Sequence, residues 1–265
     1  MQNVEKISVL HSLITSIEIY PSYTKGICVI DSMQISAIQK FTMLDFPGKI
    51  ACIVFTAGCN FRCGYCHNPE FVLPEQIKEI KKSFIQEEVF FAFLEQRIGK
   101  LEGVVITGGE PTMHYDLLSL VRRIKEMGFA VKLDTNGNNP MVLEVLVSSG
   151  LLDYVAMDVK TDLQNYSNLV GGCVRTEYIT ESIRLLLQAD IAYEFRSTLI
   201  QEVHTKEMIQ GMAEMITGAS QLFLQSFRPG YTLDPAYMAY HPFSLQEMQG
   251  IRDVFVPHVK EVSIR

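Results

Sequence analysis

Apolar runs of strand length alternate with amphipathic segments from about residue 33 to the end of the chain. The run at 50–56 is apolar on both faces, which is typical of a parallel strand buried inside an α/β fold. Further apolar runs occupy 104–107, 130–133, 154–157, 192–198 and 222–225. The segments between them carry apolar residues at helical spacing. The pattern predicts a partial (β/α)6 TIM-like barrel with a parallel sheet open on one side, because about six strand–helix units are too few to close a barrel of eight.

Local signals predict two helix starts and one loop. Ser83 with Gln86, and Ser244 with Glu247, have the spacing of a capping box. The glycine-containing segment 162–175 is expected to form a loop.

The first part of the chain differs from the rest. Residues 1–32 show no clear period and no chemical motif, whereas the strand–helix pattern covers 33–265. We therefore expect a dispensable N-terminal extension at 1–32 and one domain at 33–265.

Polar and glycine-rich groups follow most of the apolar runs directly. They are the loop from Cys59 to Cys66, Gly108-Gly109-Glu110, Asp134-Thr135-Asn136-Gly137, Asp158-Val159-Lys160 and Phe227-Arg228-Pro229-Gly230. The carboxyl ends of parallel strands share one edge of a sheet, and α/β barrels carry their active sites there. The groups are therefore expected to form one site.

The loop after the run at 50–56 holds three thiols within eight residues, at Cys59, Cys63 and Cys66. Thiolates are ligands for zinc and for iron–sulfur clusters. Zinc needs a fourth ligand, for which His67 is a candidate, whereas a four-iron cluster held by three cysteines leaves one iron open. The loop alone predicts a metal site and leaves both alternatives open.

Composition narrows the classes of partner. The net charge of −7 disfavours a protein that binds nucleic acid through a basic face. No apolar run reaches the length of a membrane span. The other cysteines, at 28, 52 and 173, do not resemble a disulfide framework, so the expected location is the cytoplasm.

These motifs together resemble a known superfamily. The cysteine spacing, Tyr65 before the last cysteine and the Gly-Gly-Glu group resemble the radical S-adenosylmethionine enzymes. Asp45-Phe-Pro-Gly, Cys66-His-Asn-Pro, Gly108-Gly-Glu-Pro-Thr, Asp134-Thr-Asn-Gly and Asp158-Val-Lys resemble the activating enzymes of glycyl radical enzymes. Within that group, residues 33–265 are most similar to the branch that activates anaerobic ribonucleoside-triphosphate reductase.

The resemblance implies two cofactors and a set of residues that hold them. Cys59, Cys63 and Cys66 would bind three irons of a 4Fe–4S cluster, and the amino and carboxylate groups of S-adenosylmethionine would bind the fourth. The implied S-adenosylmethionine contacts are Tyr65 at adenine, Gly108, Gly109 and Glu110 at the amino group, and Asn68, Asp158 and Lys160 at the methionine moiety and ribose, with Arg196 and Arg228 as further candidates. A monovalent cation near Asp134, Thr135 and the Asp158-Val159 pair is also implied, and Asp45 would approach the substrate's glycine loop.

The implied reaction is reductive cleavage of S-adenosylmethionine, followed by removal of a glycine Cα hydrogen from a partner glycyl radical enzyme. The electron would come from a one-electron donor such as flavodoxin or ferredoxin, and neither nucleic acid nor a membrane is expected as a partner. Two alternatives remain. One is a radical S-adenosylmethionine enzyme that modifies a small molecule, nucleobase or peptide. The other is a zinc-binding or electron-transfer protein without catalysis.

Overall fold

The computed structural model describes residue 30 and residues 32–265. Within them, the sheet contains eight strands: β1 (Ile35–Thr42), β2 (Ala51–Thr56), β3 (Gly103–Gly108), β4 (Ala130–Thr135), β5 (Tyr154–Asp158), β6 (Ala192–Leu199), β7 (Gln221–Ser226) and β8 (Glu261–Ile264). Their order in the sheet is their order in the chain. Strand β1 pairs antiparallel with β2, and the later strands pair parallel with their neighbours.

This architecture confirms the expected α/β fold with a partial barrel. The two edges of the sheet, β1 and β8, do not pair with each other among the described residues, so the barrel is not closed. The sheet is larger than six strand–helix units suggest, because β1 adds an antiparallel edge and β8 adds a short parallel one.

Eight α-helices of the described residues cover the sheet. They are α1 (Pro74–Ile80), α2 (Glu87–Glu95), α3 (Leu117–Glu126), α4 (Pro140–Ser148), α5 (Tyr166–Val170), α6 (Thr176–Gln188), α7 (Lys206–Met215) and α8 (Leu245–Phe255). The apolar stripe of α3 is buried at Leu117, Leu120, Val121 and Ile124, as its spacing predicts. Among the described residues, no helix combines the length and apolar character needed to cross a lipid bilayer.

Two local predictions are wrong and one is confirmed. The Ser83–Gln86 capping box does not form, because Ser83 Oγ donates to Ile80 O in a preceding 3-10 turn and Gln86 itself precedes α2. The segment 162–175 is not entirely a loop, since it contains α5. The Ser244–Glu247 capping box is present at the start of α8.

The interior of the barrel is apolar at one end and polar at the other. A small cluster that includes Phe46, Ile53, Val105 and Tyr154 fills the amino ends of the strands. The main core lies between the sheet and the surrounding helices. Since side chains alternate along a strand, Lys132 and Asp134 share one face of β4, and this face points away from the main core. Polar side chains of the strands therefore meet at the carboxyl end of the barrel.

Candidate active site

One cavity of about 250 Å³ lies at the carboxyl ends of the strands and contains most of the predicted site. Thirteen predicted residues line it: Cys59, Cys63, Tyr65, Cys66, Asn68, Gly108, Gly109, Glu110, Asp134, Thr135, Asp158, Lys160 and Arg196. They come from loops and strand ends that are far apart in the chain, so the parallel sheet brings them together as predicted.

Hydrogen bonds within the cysteine loop hold its conformation. Arg62 Nη1 donates to Cys59 O at 2.6 Å and to Phe61 O at 2.7 Å, which folds the guanidinium back over the loop. Phe61 N donates to Cys59 Sγ at 3.4 Å. Hydrogen bonds of this kind to a ligating sulfur stabilise its thiolate form and influence the potential of a cluster.

The donor set fits an iron–sulfur cluster. Burial raises the pKa of Cys63 to about 11 and also raises the pKa values of Cys59 and Cys66, so the thiols ionise at neutral pH only when they bind a metal. In the described part of the chain, no three His, Cys, Asp or Glu side chains are close enough together to hold a single metal ion. A cluster is wider than one ion, because each cysteine binds a different iron.

The glycine pair Gly108-Gly109 at the end of β3 is required because neighbouring backbone atoms leave no room for a side chain. A Cβ on Gly109 would lie 2.0 Å from Gly58 O, and one on Gly108 would lie 2.4 Å from Thr56 N and O. Gly109 N donates to Thr56 O, and Glu110 N donates to Gly58 O, both at 2.8 Å. Larger residues at these positions would therefore push the cysteine loop away from β3.

Glu110 is a buried hub between two loops. Its Oε1 accepts hydrogen bonds from Thr112 N, Thr112 Oγ1 and Thr135 Oγ1, and its Oε2 accepts one from Asn136 N at 2.7 Å. Burial raises the pKa of Glu110, and these hydrogen bonds offset part of the rise. Because all four of these groups, from three residues, donate to the carboxylate, they favour its ionised form. Oε2 retains the capacity to accept from an ammonium group in the cavity.

Asn60 and Asn136 were missed by the sequence interpretation. Asn136 Nδ2 donates to Asn60 Oδ1 at 2.7 Å, and both side chains are buried. This bond joins the loop after β4 to the cysteine loop. The available signal was that each asparagine lies inside a motif already identified as part of the site.

A chain of ion pairs crosses the cavity floor. Arg196 donates from Nη1 to Asp134 Oδ2 and from Nε to Asp158 Oδ1, both at 2.9 Å. Lys160 Nζ lies 3.2 Å from Asp158 Oδ2. Burial alone would raise the pKa of Asp158, but the charges of Arg196 and Lys160 outweigh it and lower that pKa to about 2. The same balance, with Arg196 and Lys132, lowers the pKa of Asp134.

Lys132 is a second residue that the sequence interpretation missed. Its Nζ lies 2.6 Å from Asp134 Oδ1, and the side chain is only 2% exposed. A lysine inside an apolar strand, two residues before a predicted site carboxylate, shares that residue's face of the sheet. That spacing was the signal that could have found it.

Tyr65 lies beside the ion pairs. Its ring packs against Tyr237 with centroids 6.1 Å apart, and Lys160 Nζ lies 5.9 Å from the ring centroid. The ring is buried, and one part of it lines the cavity.

The structure does not bring two predicted residues to this cavity. Arg228 lines a separate cavity of about 310 Å³ together with His67 and Arg265, and its backbone oxygen accepts a hydrogen bond from His67 Nε2 at 2.8 Å. Asp45 lies in the β1–β2 connection, where Thr42 Oγ1 donates to it. Since Thr42 pairs with Ala51 at the start of β2, Asp45 lies at the amino end of the barrel, opposite the cysteine loop.

Most of the predicted N-terminal extension lies outside the described residues, except Ile30 and Ser32. Ile30 exchanges backbone hydrogen bonds with Met113 and Tyr115, and its side chain occupies the space beside Gly58. The dispensability of 1–32 stays a prediction.

A partly closed, mostly parallel sheet with three thiols and a buried ion network at its carboxyl edge defines a cofactor-dependent α/β enzyme of the partial-barrel class. The sequence profile of the Radical SAM superfamily matches residues 53–216, and the chain belongs to that superfamily. Membership implies a 4Fe–4S cluster and S-adenosylmethionine as cofactors, and the zinc alternative is thereby set aside.

Relatives support the resemblance seen in the motifs. A protein of Methanocaldococcus jannaschii, named as a candidate glycyl-radical enzyme activating enzyme, is 31% identical and covers 87% of this chain and 95% of its own length. The pyruvate formate-lyase-activating enzyme of Streptococcus mutans is 30% identical over 52% of this chain and 54% of its own. The 7-carboxy-7-deazaguanine synthase of Thermococcus kodakarensis is 28% identical over 69% of this chain and 76% of its own.

Solved structures confirm the fold. Streptococcus suis SuiB bound to its precursor peptide superposes with a TM-score of 0.61 at 14% identity, over 80% of this chain and 48% of the SuiB chain. The chain thus spans about half the length of SuiB. The anSMEcpe structure with bound AdoMet gives a TM-score of 0.52 at 17% identity, over 79% of this chain and 61% of that one.

Proposed function

We propose that this chain is an activase that removes a glycine Cα hydrogen from a partner glycyl radical enzyme, and that the partner is anaerobic ribonucleoside-triphosphate reductase. The observation that carries the proposal is the activating-enzyme relative, whose alignment includes 95% of its own length. The choice of partner rests on the motif resemblance. The proposal includes a flavodoxin or ferredoxin as electron donor and a location in the cytoplasm, which the absence of disulfides among the described cysteines supports.

When bound, the cluster and S-adenosylmethionine supply a carbon radical able to take a hydrogen atom. The chain's own residues hold these groups in place. Cys59, Cys63 and Cys66 would bind the cluster, and the Arg62 and Asn136 contacts would keep their loop in one conformation. Such preorganisation reduces the cost of bringing reacting groups together.

The remaining residues would orient S-adenosylmethionine. Glu110 lines the cavity and would accept from the amino group of S-adenosylmethionine, and Lys160 and Arg196 would supply positive charge for its carboxylate. Tyr65 offers an aromatic surface for adenine, and Asn68 lies at the same wall. Burial of these groups strengthens their electrostatic interactions relative to water.

The open sheet suits a protein substrate. Because β1 and β8 are unpaired with each other among the described residues, the barrel has a lateral gap through which a chain segment could reach the cavity. Asp45 lies at the opposite end of the barrel, so the proposal gives it no contact with the substrate's glycine loop.

A second candidate is modification of a small anionic molecule. It is favoured by the neighbouring cavity, where the side chains of Arg228 and Arg265 place positive charge beside His67, the residue that follows Cys66. The 7-carboxy-7-deazaguanine synthase relative is consistent with it.

Electron paramagnetic resonance separates the two candidates. The chain, loaded with its cluster under anaerobic conditions, is mixed with a reductant, S-adenosylmethionine and each glycyl radical enzyme of the same organism. A glycine-centred doublet that appears with the reductase, and is absent with the Cys63→Ala variant, supports the proposal. Formation of 5′-deoxyadenosine without a doublet on any partner favours the small-molecule candidate, and failure to form 5′-deoxyadenosine rejects both.

A further inference from the structure

The motif resemblance implies a monovalent cation beside the S-adenosylmethionine site, but the atoms that would bind it are already engaged. Both carboxylate oxygens of Asp134 accept from protein cations, Oδ1 from Lys132 and Oδ2 from Arg196. Both carboxylate oxygens of Asp158 do the same, Oδ1 with Arg196 and Oδ2 with Lys160. An incoming Na⁺ or K⁺ would compete at each of these oxygens with a protein cation that is already paired there.

The neutral donors of the implied site are engaged as well. Thr135 Oγ1 donates to Glu110 Oε1 at 2.8 Å and accepts from Gly137 N at 3.1 Å. The backbone oxygen of Val159 accepts from Ser197 Oγ at 2.7 Å. The residues therefore do not fit a monovalent cation as the resemblance implies.

The local charge balance points the same way. Lys132, Arg196 and Lys160 bring three positive charges to the two carboxylates, so the network is already net positive. Hard cations are bound where oxygen donors carry excess negative charge. A further cation at this site would meet repulsion from three protein cations at short range.

Lys132 places a protein cation against Asp134, one of the two carboxylates of the implied cation site. Its ammonium is 2% exposed and lies 2.6 Å from Asp134 Oδ1, and the ring of Tyr154 lies below it with the centroid 5.8 Å away. A buried ammonium is tolerated only when it is paired. Because β4 fixes its backbone, the charge is part of the fold and needs no ion from solution.

We propose that Lys132 is a built-in replacement for the monovalent cation, and that this chain binds S-adenosylmethionine without dependence on Na⁺ or K⁺. Lys132 is a positioning residue that acts through Asp134. The inference depends on the S-adenosylmethionine site and not on the identity of the partner, so it can fail while the proposed function stands.

The test measures S-adenosylmethionine affinity of the cluster-loaded full chain by equilibrium dialysis. Solutions contain sodium, potassium or tetramethylammonium chloride at one ionic strength. The wild-type dissociation constant is expected to vary by less than about twofold across the three salts. A wild-type affinity that depends on sodium or potassium overturns the proposal without any variant.

Variants test whether Lys132 is responsible. In tetramethylammonium, Lys132→Met is expected to bind S-adenosylmethionine about tenfold more weakly, and sodium or potassium should restore most of the loss. Sodium-23 relaxation should report an ion bound to this variant and not to the wild type. The double variant Lys132→Met/Asp134→Asn should lose both responses, because the carboxylate that would hold the ion is gone.

Lys125→Met is the matched control. Lys125 pairs with Asp153 at 2.7 Å but lies on α3, away from the cavity, and this variant should behave like the wild type in every salt. If Lys132→Met loses affinity equally in all three salts, or binds no sodium, Lys132 is a structural lysine only and the proposal is wrong.

Discussion

Replacing Arg196 by glutamine tests the ion network that forms the cavity floor. The guanidinium makes two charge-assisted hydrogen bonds of 2.9 Å, one to Asp134 and one to Asp158. Each such bond contributes about 1.5–3 kcal/mol to stability. Asp134 would keep Lys132 and Asp158 would keep Lys160, so neither carboxylate is left alone. We therefore expect Arg196→Gln to lower the free energy of unfolding by about 3 kcal/mol near pH 7, the lower end of the summed range.

The loss should depend on pH in a defined direction. The folded-state pKa of Asp158 is lowered from 3.8 to about 2, chiefly because Arg196 outweighs the effect of burial. A carboxylate whose pKa is lower in the folded state than in the unfolded state stabilises the fold at pH values above its unfolded-state pKa. This stabilisation is lost as the pH falls through the folded-state pKa. Without Arg196 the pKa of Asp158 moves back up, so the difference between wild type and variant should shrink as the pH falls from 3.8 toward 2.

Urea unfolding of the metal-free full chain, followed by circular dichroism between pH 2 and pH 7, measures both effects. Arg184→Gln is the control, because Arg184 pairs with Glu181 on an exposed face of α6 and its loss should have no measurable effect. Equal destabilisation by the two substitutions, or a loss from Arg196→Gln that is constant over this pH range, would refute the reasoning.

Four further outcomes follow from the site. Cys63→Ala should lose its iron and sulfide on anaerobic reconstitution, and full retention of iron would contradict the cluster assignment. Lys160→Ala should retain the cluster and weaken S-adenosylmethionine binding by about 10–100-fold in equilibrium dialysis, because one buried charge partner is lost. Gly109→Ala should lower the unfolding free energy by more than about 2 kcal/mol and reduce iron content, since its Cβ would meet Gly58 O, whereas Gly250→Ala, which meets nothing within 4 Å, should do neither. Deletion of residues 1–32 should leave the iron content unchanged, and loss of the cluster would make the extension part of the domain.

The sequence correctly predicted that the site lies at the carboxyl edge of the sheet. It did not predict most of the side-chain contacts inside the site. Cys59, Glu110 and Asp158 end or follow apolar runs, and parallel pairing was enough to bring them to one cavity. The position of Asp45 could also have been inferred, because a residue shortly before β2 must lie near the amino end of that strand, and its role toward the substrate stays a prediction.

Other features depend on the three-dimensional packing. Glu110 accepts hydrogen bonds from Thr135 and Asn136, which lie at the end of a different strand. No local sequence pattern reveals these contacts. The same holds for Arg228, which follows β7 but lines a separate cavity with His67 and Arg265. The sequence places Lys132 on the same face of its strand as Asp134. A single charged residue in an apolar run does not, however, show whether its side chain is paired.

The agreement between strand order in the sheet and strand order in the chain has a consequence for biosynthesis. Each strand pairs with the one made just before it, so the sheet can grow from β1 toward β8 as the chain leaves the ribosome. The cysteine loop follows β2 and is made early, whereas Arg196 on β6 completes the cavity floor much later. The three thiols are therefore synthesised well before Arg196 and the rest of the cavity floor that surrounds them.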